Sequence, residues 1–223
     1  MVFIPFPILS HLVSTLEFAK LLINRDNRLR VTVLVIEFPN TTETDVFTKS
    51  LPITDSLQVI NLLECPLPSN TNQGSTMNAL LEANKPNVKQ DIFNLTAGQE
   101  NGVLAAFVVD MFCTTMIDVA KEFSVPAFVF FTSGIASLGL ILHLHTLHER
   151  DNIDSTQLRQ QNELAIPSFA NLVPIISLPG FVINKKQVVA GIRHSKAYIL
   201  VCLLLRGRSM LNNRVMFFNW CVS

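Results

Sequence analysis

Four short, almost purely apolar runs constrain this chain most, because helical spacing follows each of the first, third and fourth. Val2–Pro5, Arg30–Glu37 (RVTVLVIE), Leu104–Val109 and Pro126–Phe131 are rich in β-branched or aromatic residues. A strand with one wet face alternates apolar and polar side chains, whereas one covered on both faces is apolar throughout. His11–Asn24, Thr114–Phe123 and Ser133–His148 carry apolar residues at helical spacing, with Ser14, Thr15 and Ser133 as candidate caps. Leu57–Leu62 reads as a weaker strand, and Ser75–Ala97 as helical but interrupted at Pro86. Pro66–Gly74 and Glu149–Asn162 read as polar loops. Strand and helix alternate, so the expected fold is α/β: a doubly wound, mostly parallel sheet.

Charge divides the chain unevenly. Residues 1–163 hold ten Lys+Arg against all seventeen acids, a balance of −7; residues 164–223 hold seven Lys+Arg and no acid. Sixty residues without a carboxylate depart from ordinary globular composition, so the last part is expected to differ in origin or behaviour from the rest. The zero net charge argues against a nucleic-acid partner bound through a basic surface. Cys65, Cys113, Cys202 and Cys221 form no C-x-x-C pair, and Met1-Val-Phe-Ile-Pro lacks a basic leader. Reduced thiols in a cytoplasmic protein are therefore expected, and the sequons at Asn40 and Asn94 are read as chance matches. The longest apolar run, Ala197–Leu205, is far short of the roughly 20 residues a stable membrane span needs.

The motifs G-x-G-x-x-G, G-x-x-x-x-G-K-[ST] and G-x-S-x-G are all absent. That removes support for a glycine-fingerprint dehydrogenase, a P-loop enzyme and an elbow-type hydrolase. His143, His145 and His148 look metal-like but lack a nearby Cys or carboxylate partner, and read as the solvated end of a helix. In a doubly wound sheet ligands bind beyond the carboxyl ends of the strands. His11 follows the first strand and Asp110 the Leu104–Val109 strand, so the fold would bring them to one rim. A neutral imidazole oriented by a buried carboxylate is a workable general base near neutral pH; a capping or loop role for His11 is the plainer alternative.

Three blocks carry a resemblance. Phe3-Ile-Pro-Phe-Pro-Ile-Leu-Ser-His11-Leu-Val-Ser-Thr-Leu-Glu-Phe-Ala-Lys is similar to the opening of plant family 1 UDP-glycosyltransferases. Ala105 through Gly134, around Val-Val-Asp110-Met-Phe-Cys, resembles a second block of that family. Glu163-Leu-Ala-Ile-Pro-Ser-Phe with Leu178-Pro-Gly resembles a third. The resemblance is nearest the branch that glucosylates flavonoids and related phenolics. It implies a GT-B enzyme whose Rossmann-like amino-terminal domain, here residues 1–183, holds the acceptor. By the same resemblance His11 is the catalytic base and Asp110 its carboxylate partner. Ser10 lies near the donor phosphates, Thr132 near the sugar, and Phe6 and Phe112 line the acceptor pocket. As core aromatics, or as loop and cap hydroxyls, these four would have no such role. The implied reaction is inverting transfer from a UDP-sugar, expected to be glucose, to a small phenolic acceptor. UDP-sugar is then a co-substrate, with no further cofactor and no metal.

Two departures stand out. The family loop before the histidine carries glycines, in a pattern like P-G-I-G-H, where this chain has Pro7-Ile8-Leu9-Ser10. The family's donor signature with an H-C-G-W-N-S run is missing, and residues 184–223 read as an aberrant basic, apolar tail. The expectation is a truncated product with its donor domain absent and little activity alone. The alternative is a non-catalytic, small-molecule-binding or regulatory fragment that pairs with a full-length relative.

Overall fold

The computed structural model describes residues 1–38, 43–52, 54–63, 65, 73–97, 103–151, 153, 155–158, 160–178, 198–202 and 215–219. They fall into two compact units. The first holds Met1–Thr132 together with two later strands; the second holds the described residues from Ser133 to Leu178.

In the first unit the elements are β1 (Val2–Ile4), α1 (Leu9–Arg25), β2 (Val31–Val35), α2 (Glu43–Lys49), β3 (Leu57–Asn61), α3 (Gln73–Ala97), β4 (Phe107–Asp110), α4 (Ile117–Glu122) and β5 (Ala127–Phe131). A 3-10 turn, Thr114–Met116, leads into α4. The strands order as β3-β2-β1-β4-β5, every neighbouring pair parallel. The expected doubly wound α/β sheet is present. Its apolar runs are apolar because both faces are covered.

Period-two alternation sorts each strand between two cores. Val2 and Ile4 of β1, Leu34 of β2 and Phe107 and Val109 of β4 face Leu80, Leu81, Val88 and Ile92 of α3 and Ile117, Val119 and Ala120 of α4. Phe3, Val31, Val33, Val35, Val108 and Phe130 face Leu12, Leu16, Phe18 and Ala19 of α1. The Phe18 and Phe130 rings stack with centroids 4.8 Å apart, a contact worth about 0.5–1.5 kcal/mol beyond burial.

Helix α2 was not among the expected elements, and α3 and α1 depart from the limits expected of them. α3 runs unbroken through Pro86. Proline in a helix interior costs roughly 3 kcal/mol, and burial of four large α3 side chains outweighs that. α3 is also tied to α4 by the Lys89–Glu122 and Lys85–Asp118 ion pairs, at 2.7 and 3.7 Å. α1 starts at Leu9, not His11, with Ile8 extended at its N-cap and no side-chain cap. Ser14 does not cap first-turn amides: its Oγ donates back to the Ser10 carbonyl at 2.9 Å. Thr15 Oγ1 is buried without a hydrogen-bond partner.

β8 (Tyr198–Cys202) adds parallel to β5, and β9 (Val215–Asn219) pairs antiparallel with β8. Thus residues 184–223, read from the sequence as an aberrant tail, contribute two strands to this sheet. The domain boundary expected at residue 183 lies outside the described residues.

The second unit contains α5 (Ile135–Asp151), α6 (Ser155–Leu158) and the antiparallel pair β6 (Glu163–Leu164) and β7 (Val173–Pro174). Leu140 and Leu144 of α5 pack on Leu158, Leu164, Ile166, Ile175 and Leu178. Gly134, not Ser133, accepts the first α5 backbone bond, from Leu138 N–H at 3.2 Å. Within the expected Glu149–Asn162 loop, α5 continues to Asp151 and Ser155–Leu158 form α6.

Candidate active site

Strand order reverses between β1 and β4. β1 connects through α1 to one side, and β3 crosses through α3 to the other, so the loops leaving β1 and β4 diverge and open a crevice at their carboxyl ends. The two polar residues singled out from sequence sit on these strands' exits. Asp110 closes β4, and His11 lies in the first turn of α1, after β1. Alternation explains why they meet: Asp110 shares the parity of Val108, whose side chain faces α1.

His11 Nδ1 is 2.8 Å from Asp110 Oδ2; the Asp110 side chain is fully buried and that of His11 is 19% exposed. An ionised carboxylate can only accept, so Nδ1 carries the hydrogen and donates it, which leaves Nε2 as the basic nitrogen. The carboxylate is itself held. Asp110 Oδ1 accepts from the Phe112 N–H at 3.0 Å, and the Asp110 carbonyl accepts from Cys113 N–H at 2.8 Å. Both oxygens thus have a donor, and the plane of the group is fixed.

Two aromatic rings flank the imidazole. Phe6 lies edge-on at 5.3 Å between centroids and Phe112 tilts at 5.8 Å, while the two phenyl rings are 5.0 Å apart. Phe6 is buried, but Phe112 is 42% exposed. Thr132, one residue beyond β5, places Oγ1 3.3 Å from His11 Nδ1. His11, Asp110, Thr132, Phe6 and Phe112 therefore form one cluster. Ser10 stands on the same first turn of α1 with an exposed side chain. Ile8, where the resembled family has glycine, is 45% exposed at the N-cap.

The Phe112 backbone N–H is the functional group that sequence reasoning missed. An aspartate whose side chain accepts from the amide two residues on is an Asx turn, and Asp110-Met-Phe112 at a strand end is the signal for one. Cys113, fully buried, has its thiol pKa pushed well up by burial and by the neighbouring Asp110 charge, so it stays a thiol; Sγ lies 3.6 Å from the Pro5 carbonyl. His145 is buried in the second unit, and the described residues contain no group of three or more His, Cys, Asp or Glu placed to hold a metal.

A parallel sheet with a part-buried, hydrogen-bonded His–Asp pair at its switch point defines a Rossmann-like domain. No family model matches the chain. Individual proteins do. A putative UDP-glucose flavonoid 3-O-glucosyltransferase from Fragaria ananassa is 45% identical over 195 residues, 83% of this chain and 40% of that protein. The crystal structure of a transferase from Siraitia grosvenorii in complex with UDP superposes with a TM-score of 0.69 at 40% identity, over 82% of this chain and 39% of that one. A Medicago truncatula structure complexed with UDP-glucose gives 0.70 at 34% identity, over 84% and 40%. Over the shared length this chain belongs to the plant UDP-glycosyltransferases, and its fold is the Rossmann-like sheet of a GT-B enzyme. It spans about 40–44% of the length of the curated relatives it matches.

Proposed function

We propose that this chain carries the acceptor-activating side of an inverting UDP-sugar-dependent glucosyltransferase acting on a hydroxyl of a small phenolic or flavonoid. The observation that carries the reading is the His11–Asp110 hydrogen bond of 2.8 Å at the strand-order reversal. His11 Nε2 takes the hydroxyl proton as the acceptor oxygen attacks the anomeric carbon. The bond from that carbon to the UDP oxygen breaks on the opposite side, so configuration inverts and UDP leaves with the electron pair. Asp110 holds the imidazole in the Nδ1–H tautomer and stabilises the imidazolium that forms. Phe6 and the half-exposed Phe112 offer an aromatic wall to a planar acceptor. Ser10 and Thr132 are assigned to the donor side, near phosphate and sugar respectively. No step in this scheme calls on a metal or a further cofactor.

The test is a chimera in which residues 1–178 replace the matching stretch of the Fragaria relative. UDP release from UDP-glucose is measured with a flavonol panel. Loss of a general base is worth about 10²–10⁴-fold, so His11→Ala should lower turnover by that much. A His11→Ala chimera as fast as its parent would refute the assignment.

A second reading rests on the coverage of 40–44% of each relative's length. On its own the chain binds phenolics without transferring sugar, or modulates a full-length relative by pairing with it. Flavonol binding by fluorescence quenching, with no UDP release by the 223-residue chain, would favour it; turnover by that chain would exclude it.

A further inference from the structure

His11 Nδ1 has two oxygen neighbours. Asp110 Oδ2 lies at 2.8 Å and Thr132 Oγ1 at 3.3 Å. They come from different strand exits, since Asp110 closes β4 and Thr132 follows β5, the next strand outward. The nitrogen carries a single hydrogen, which the carboxylate at the shorter distance must receive. With that hydrogen in place, Nδ1 has no lone pair to offer the Thr132 hydroxyl, so Thr132 can only accept there, as the longer arm of a three-centre bond.

We propose that Thr132 is a positioning residue for His11. Its hydroxyl oxygen is the second acceptor for the Nδ1 proton, and it holds the ring against rotation, while the acceptor-only carboxylate of Asp110 sets the tautomer. This inference rests on the reading of His11 as the base, because only a base needs Nε2 free. The role leaves the hydroxyl's own hydrogen pointing away from the imidazole, available to a hydroxyl of the incoming sugar. A hydroxyl that donates becomes a better acceptor. An occupied donor side would therefore tighten the hold on His11, coupling the presence of donor to readiness of the base through one side chain.

The geometry also separates the two holds. Asp110 approaches Nδ1 from the strand beside β1 and is itself pinned by the Phe112 N–H at 3.0 Å. Thr132 approaches from one strand further out. The imidazole nitrogen is therefore held from two separate strand exits.

The test reads the ring itself, in the full 223-residue chain, without sugar transfer. Nitrogen-15 NMR at pH 8 reports the His11 tautomer and the exchange rate of its Nδ1–H. Thr132→Val keeps the shape and removes the acceptor, and exchange should quicken roughly 2- to 10-fold, as expected for losing one neutral hydrogen bond. Thr132→Ser should restore the parental rate. Exchange in Thr132→Val equal to the parent, or Thr132→Ser indistinguishable from Thr132→Val, would overturn the proposal. A His11-dependent chimera combined with a null result here would remove Thr132's part alone and leave the base assignment standing.

Discussion

Asp110→Asn isolates what a carboxylate does that an isosteric amide cannot. Asp110 has two acceptor oxygens, and each has one donor: Phe112 N–H on Oδ1 at 3.0 Å and His11 Nδ1 on Oδ2 at 2.8 Å. Asparagine offers one acceptor and one donor group at the same places. If its oxygen faces Phe112, the NH₂ faces Nδ1, and the ring must give up its Nδ1 hydrogen and carry one on Nε2. The base is then blocked. If its oxygen faces His11, the NH₂ meets the Phe112 N–H, donor against donor, in a place with no exposure for the Asp110 side chain. An unsatisfied buried donor costs about 1–3 kcal/mol, or roughly 2–12 °C in Tm for a chain of this size. Either outcome is severe for one property. The activity arm uses the chimera with the Fragaria relative, where wrong-tautomer loss should reach about 10²–10⁴-fold. The stability arm is thermal unfolding of the 223-residue chain. The Asn variant must show the first loss, the second, or both. Retention of more than a tenth of parental UDP release together with an unchanged Tm would refute the two-donor account of Asp110.

Three further outcomes follow from particular side chains. Thr15 is 2% exposed on the core face of α1 and its Oγ1 has no partner, so Thr15→Val should raise stability by about 1 kcal/mol; a lower melting temperature would show that the hydroxyl is satisfied in solution. Cys113 is buried with a raised thiol pKa, so at pH 8 it should resist an alkylating reagent in the native chain and react after denaturation, as peptide mapping would reveal; native labelling as fast as that of a free thiol would contradict its burial. Burial lowers the pKa of His143 from the usual 6.5. The unfolded chain then binds more protons just below that value, so this group makes stability fall as pH drops through 6.5; His143→Gln should flatten that part of the pH–stability curve, and an unchanged slope would assign it elsewhere.

Much of the fold is legible in the residues. The apolar runs at Val2, Val31, Phe107 and Ala127 state that both sheet faces are covered, because a strand with one face in water cannot afford so few polar positions. α1, α4 and α5 follow from spacing and α3 from composition, whereas α2 (Glu43–Lys49) was not among the expected elements. Helix limits are less legible. α3 passes Pro86 because burial on both sides of the break outweighs one lost hydrogen bond, and that burial is a tertiary quantity. α1 begins two residues early because Ile8 is extended and its carbonyl takes the Leu12 N–H at 3.1 Å, a backbone arrangement that no side chain announces. Charge set residues 164–223 apart, yet strand pairing runs through backbone groups, and β8 and β9 pair within that stretch without an acid.

The site divides in the same way. By itself the sequence determined that a histidine follows the first strand and an aspartate ends a later one, since short-range pattern places residues on elements. Only the tertiary structure decided that these two exits are neighbours. The crossover through α3 sets β4 beside β1, and residues 99 apart come within a hydrogen bond. The placing of the Thr132 hydroxyl beside the same imidazole nitrogen was likewise decided there, whereas the Phe112 amide on Asp110 belongs to a two-residue turn that local sequence can announce. Hydrogen bonds depend on distances of tenths of an ångström between groups from separate elements, and linear order carries no record of such distances.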